Sequence, residues 1–268
     1  MILPNSKWMM DNSKIMENII QKYDLNPSLI IDKYLFWEGN SLSPDFNKKA
    51  IANNKMSHLN KAVILECPLK IKHFESLKNR KNSLPDILTF VLTTKTRVIV
   101  NHGGESILDN SIALHTYYGF PIIPGSAIKG VARHFCEEFE NLENPLIKKI
   151  FGNFPNDKES EEGEIIFLDA WPVNIEKVLE IDVFTPHYQK YYQTSNLLEL
   201  PRDDQKPIPV NFLAVKKGIK FEFVIAPTSK CKKEDRKSLL NVTKDIVIKA
   251  LKTFGVGAKT GSNYGYFQ

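Results

Sequence analysis

At Leu88 the chain stops reading as helix and starts reading as sheet, and its downstream segments keep a fixed order. LTFVLTTKTRVIV (88–100) is β-branched and apolar, which predicts a long strand or hairpin. After the loop NHGGESILDN comes GFPIIPGSAIKGVARHFCEEF (119–139). Here a Pro-Gly-Ser break precedes a helix whose Ile128, Val131, Ala132, Phe135 and Phe139 form an apolar stripe. GEIIFLDAWP (163–172) predicts a short strand. VNFLAV and IKFEFVIAP, joined by KKG with Gly218 in the turn, predict an antiparallel hairpin. EDRKSLLNVTKDIVIKALKTF (234–254) is an amphipathic helix with Leu239, Leu240, Ile246, Ala250 and Phe254 inward, and a glycine-rich loop comes directly after it.

Strand, helix, strand, strand pair, helix, loop is an α+β order. It matches the ferredoxin-like (RRM-like) β-α-β-β-α-β plan with insertions, in which helices cover one sheet face and leave the other free. Residues 1–87 read instead as a mostly helical N-terminal extension packed on the core. DNSKIMENIIQKY stripes Ile15, Ile19 and Tyr23 behind an Asp11/Ser13 cap signal, and Ser43-Pro44 opens another helix. Residues 88–268 then form the main domain.

The loop GVGAKTGSNYG (255–265) has the look of a phosphate cradle, but two familiar nucleotide motifs fail on it. A G-x-x-x-x-G-K-[ST] loop needs glycines where Ala258 and Thr253 stand. In G-x-G-x-x-G the third glycine falls on Thr260. Both motifs also aim a following helix N-terminus at the phosphate, whereas this loop comes after a helix. A helix C-cap accounts for Gly255. It leaves Gly257, Gly261 and Gly265 around Lys259-Thr260, a setting for close backbone approach and an anion nest.

Charge points the same way. The formal net charge is +5, yet residues 206–268 alone carry 13 Lys/Arg against 4 Asp/Glu, so the remainder is acidic. A basic part beside an acidic remainder suits a polyanion on one face and protein neighbours elsewhere, although a solvated Lys-rich helix gives the same count. Cys67, Cys136 and Cys231 are dispersed, without a CxxC or neighbouring histidine pair, so a reducing cytoplasm is expected and neither disulfides nor structural zinc. No apolar run approaches the roughly 18 residues of a membrane span.

Glycine loop, element order and the segments NPSLIIDKYLFWEG, GFPIIPGSAIKGVARHF, GEIIFLDAWP, DVFTPHYQKYY, PIPVNFLAVKKGIKFEFVIAP and FGVGAKTGSNYG together resemble the RAMP superfamily of CRISPR-associated RNA-binding proteins. Within it they resemble the Cmr proteins of type III-B effectors. The resemblance implies a non-catalytic subunit without cofactor, in contact with crRNA toward its 3′ region and with target RNA. It also implies protein partners: the backbone RAMP subunit, the small helical subunit and the first Cmr RAMP subunit, at the end of the filament.

The residues nominate their own contacts. Gly255, Gly257, Lys259, Thr260, Gly261 and Asn263 form the loop. Ser126 is placed at a helix N-cap, with Lys129 and Arg133 four apart on one face, an arrangement that suits a phosphate, as it does a solvated basic face. His187, Tyr188 and Lys190 interleave aromatics with a cation, which suits single-stranded RNA and equally a partly buried loop packed on the sheet. Asn101 and His102 come after the first strand and are expected beside the glycine loop. The alternative is a RAMP-type metal-independent endoribonuclease with His102 or His187 as acid/base. No histidine has a sequence-adjacent partner of metal-ligand spacing.

Overall fold

The computed structural model describes residues 56, 59–60, 63, 68–103, 110–139, 145–152, 161–185 and 209–268. The proposed helices near Ile15 and Ser43, and the contacts His187, Tyr188 and Lys190, lie outside the described residues. Helices are α1 (Pro68–Asn82), α2 (Gly125–Phe139), α3 (Pro145–Phe151) and α4 (Lys233–Thr253). Strands are β1 (Leu88–Thr93), β2 (Ile165–Phe167), β3 (Trp171–Pro172), β4 (Leu179–Phe184), β5 (Val210–Val215) and β6 (Lys220–Pro227). It is a mixed α+β fold with antiparallel sheets.

In the larger sheet β6 lies between β1 and β2, all antiparallel, with Phe90 opposite Phe223 and Ile166 opposite Ala226. β3 pairs with the other end of β6. The last residues extend this sheet beyond β1: Phe267 bridges Thr94, and Gln268 and Thr93 exchange backbone hydrogen bonds of 2.9 and 3.0 Å. Strand alternation turns Phe221, Phe223 and Ile225 of β6 toward α2 and α4, where they join Ile128, Ala132, Leu239, Val247 and Leu251 in the core. Each such side chain contributes roughly 1.5–3 kcal/mol by leaving water.

Four expectations change at this level. The run 88–100 is neither one strand nor a hairpin: β1 ends at Thr93, and Val98 bridges Val215 of β5 instead. The reason is burial, since residues of β1 alternate while Val98, Ile99 and Val100 are all buried, enclosed on both sides. The expected hairpin at Gly218 also dissolves, because β5 pairs with β4 and β6 with β1. The turn between them closes on Thr94, a fully buried residue. Its Oγ1 donates to the Lys216 carbonyl and accepts from the Ile219 N–H, at 2.8 and 2.9 Å.

The second sheet face is partly covered, with Val91 and Ile166 on it still 48% and 45% exposed. Glu222 points away from the α2/α4 side, and it meets Lys78 at 3.5 Å and Asn82 Nδ2 at 3.4 Å, both from α1. Lys81 donates to the Asp169 carbonyl and sits 4.3 Å over the Trp171 ring, where burial pushes its ammonium down to about 8. Finally, the α2 stripe turns slightly. Cys136 is fully buried in place of Phe139, which is 60% exposed.

Candidate nucleic-acid interface

α4 ends where Phe254 leads into Gly255, whose φ of 72° places it in the left-handed region, as the C-cap reading requires. The loop then folds back on its own chain. A Cβ on Gly257 would stand 2.1 Å from the Ile99 carbonyl oxygen, and one on Gly265 2.3 Å from that of Val256. Ala258 N–H donates to Ile99 O at 2.7 Å and Gly265 N–H to Arg97 O at 2.7 Å. These glycines therefore serve contact between the loop and the 97–99 segment. The close backbone approach anticipated for an RNA strand is, at Gly255, Gly257 and Gly265, an approach within the protein.

Gly261 differs, having open space where a Cβ would go. It sits in a single 3₁₀ turn, Thr260–Ser262, flanked by Lys259 and Asn263 at φ of 59° and 66°. Asn adopts this region readily, whereas for Lys it costs about 1 kcal/mol or more. The backbone N–H groups of Gly257, Lys259, Thr260 and Gly261 donate to no acceptor among the described residues. Backbone donors left unused at this turn and at Gly257, beside a lysine, are groups of the kind that attract an anion.

The loop is fixed from behind by the second sheet. Tyr264 OH donates to Asp182 Oδ2 at 2.6 Å, and Arg97 pairs with both Asp182, at 3.1 Å, and Glu180. Burial and this hydrogen bond push the Tyr264 phenol up, while Glu180 holds Arg97 above its usual range. Lys259 Nζ rests 4.2 Å over the Phe184 ring. His102 lies edge-on to Phe184 and Phe212, with centroids 5.9 and 5.2 Å away. Burial, and then the charge of Lys259, lower its pKa.

The other nominated residues divide. Asn101 joins Gly255, Gly257 and Thr260 around a cleft of about 520 Å³ between the loop and α2. The α2 side of this cleft is Ala127, Gly130, Val131 and His134. Lys129 and Arg133 fall on the opposite flank by helical spacing, and Arg133 Nε pairs with Glu137 at 3.2 Å. They are not brought to the loop. Ser126 does not cap α2, which already begins at Gly125, and the Gly125 N–H donates to Asp169 Oδ1 at 2.8 Å. A carboxylate holds the place that had been read as a phosphate seat. Gly130 and the aromatic pair His134–Phe254 were missed in the sequence; a glycine inside an otherwise strong helix was the available signal.

Among the described residues no three His, Cys, Asp or Glu side chains are placed to hold a metal ion, and no helix is long and apolar enough to cross a membrane. Cys136 and Cys231 are buried thiols that take part in no disulfide among the described residues.

The chain is 29% identical to the CRISPR system Cmr subunit Cmr6 of Pyrococcus furiosus, with 82% of this chain and 81% of that protein covered. It is likewise 29% identical to the CMR subunit Cmr6 of Saccharolobus solfataricus, over 92% of this chain and 82% of the relative. Its fold is similar to a chain in the cryo-EM structure of the type III-B Cmr-beta bound to cognate target RNA. The TM-score is 0.59 at 24% identity, covering 96% of this chain and 86% of that one. Residues 91–268, which hold the larger sheet, α2, α4 and the glycine loop, match the RAMP superfamily, and the chain belongs to that superfamily.

Proposed function

We propose that this chain is the sixth Cmr subunit of a type III-B CRISPR effector, where it binds crRNA toward its 3′ region and caps the filament without catalysing cleavage. Its partners are crRNA and target RNA, the backbone RAMP subunit, the small helical subunit and the first Cmr RAMP subunit, in the cytoplasm. Relatives named Cmr6 at 29% identity over most of both chains support the assignment. The core of this reading is ferredoxin-like, with residues 1–87 as an extension. The strand order from the last residues through β1 and β6 to β2 fits that plan, since the first and third strands are central in it.

One observation carries the RNA-binding part: the turn at Lys259–Gly261 and nearby Gly257, with four backbone donors between them that the described residues do not use. Phosphate contacts of this kind position a strand and carry no sequence information. The non-catalytic part rests on His102 being packed edge-on against two phenylalanines. Ultraviolet crosslinking in the reconstituted complex tests the whole reading. RNA-linked peptides are expected to contain Gly257–Gly261. A purely structural cap would assemble without such a crosslink. An endoribonuclease would cut repeat RNA at enzyme excess and lose that cutting in His102→Ala.

A further inference from the structure

Gly130 stands in the middle of α2, on the face turned toward the glycine loop. Helix interiors favour alanine over glycine, so a mid-helix glycine calls for a reason, and close packing is the common one. Here packing is absent: a Cβ on Gly130 would meet no atom within 4 Å. Gly257 and Gly265 behave differently, since the protein's own backbone fills the space of their missing side chains. The space kept open above Gly130 belongs to the cleft of about 520 Å³, within the range of small-ligand sites.

The walls of this cleft have a consistent chemistry. Gly257 and Thr260, two of the residues with unused backbone donors, line one side, and among the described residues no Asp or Glu lines any part of it. Two aromatic rings line it. His134 and Phe254 have centroids 4.8 Å apart and tilted by 36°. Such rings offer a flat π-face to a partner. Asn101 stands at the loop side; its amide Nδ2 donates to Ser111 Oγ at 3.4 Å, and its carbonyl oxygen is the group able to meet a base edge.

We propose that the cleft between α2 and the glycine loop is a slot for one unstacked base of single-stranded RNA, and that Gly130 leaves the room the base occupies. The adjoining phosphate lies on the donors of Gly257–Gly261, so the proposal rests on the RNA-binding reading above. A base in this slot stacks against the Phe254–His134 rings, and it is read by shape and stacking more than by hydrogen bonds. The nucleotide is therefore unpaired where it crosses α2.

The test uses the full chain with Gly130→Ala and Gly130→Leu, a single-stranded RNA, and an abasic ribonucleotide oligomer of the same length. Gly130→Ala is expected to raise Tm, because alanine suits the helix and meets nothing. A fall in Tm would mean the glycine serves packing, and would overturn the proposal. Gly130→Leu fills the slot, and affinity for ordinary RNA is expected to drop about tenfold, the size of one lost base stack. Affinity for the abasic oligomer is expected to stay unchanged. Equal losses for both ligands would place backbone and not base in the slot, and no loss for either would leave it empty; both overturn the proposal. His134→Ala, which removes a half-exposed ring lining the cleft, gives the same discrimination if Gly130→Leu does not fold. A wild-type chain that binds neither ligand in a salt-sensitive way would instead defeat the glycine-loop reading itself.

Discussion

Gly257 and Gly261 are four residues apart and obey different constraints. At Gly257 φ is 95° and a Cβ would stand 2.1 Å from a backbone oxygen, so Gly257→Ala must push the loop off Ile99. We expect a loss of about 1–3 kcal/mol in chemical denaturation. Gly261→Ala meets open space and leaves stability within about 0.5 kcal/mol of the parent. The histidines set a pH dependence at the same scale. Burial lowers the pKa of His102 and of His115, which lies among Phe120, Tyr118 and Trp171. An imidazole whose folded pKa is depressed binds fewer protons folded than unfolded. Its stabilising effect is full above the unfolded value of about 6.5 and is lost as pH falls through it toward the folded value. Thermal melts should therefore show Tm declining below about pH 6.5, and less steeply in His102→Phe. An equal slope in that variant would assign the decline to other groups.

At the scale of elements, Thr94 decides where the sheets part. Its hydroxyl satisfies the Lys216 carbonyl and the Ile219 N–H, so the turn between β5 and β6 lies against the end of β1. Thr94→Val keeps the shape and strands both groups in the interior, at an expected cost of about 1–3 kcal/mol. Hydrogen exchange should then quicken at Ile219 first; uniform quickening would mean the effect is global. This junction also marks the limit of what sequence patterning conveys. The strand at Leu88, both long helices and the loop after α4 were legible, because periodicity and capping residues are local signals. The pairing of β5 with β4 was not, since two adjacent apolar runs around a glycine turn look like a hairpin whichever partners they find. Only part of the site could be read. The glycine loop was visible as composition, but Asp169 at the start of α2 and the flank chosen by Lys129 and Arg133 depend on helix rotation and on chain some 40 residues away.

For the whole molecule, the unequal distribution of charge carries the account. The 63 residues from Lys206 onward supply a net +9 to a chain of net +5, and they include the loop with its unused donors. In the proposed reading this charge attracts a phosphate strand at long range, and binding weakens as salt screens the attraction. The most direct measurement is RNA affinity against salt concentration for the full chain and for Lys259→Ala. The account predicts affinity falling linearly on logarithmic axes, with a slope shallower by about one in the variant. An affinity that ignores salt, or a slope the variant leaves unchanged, would contradict it.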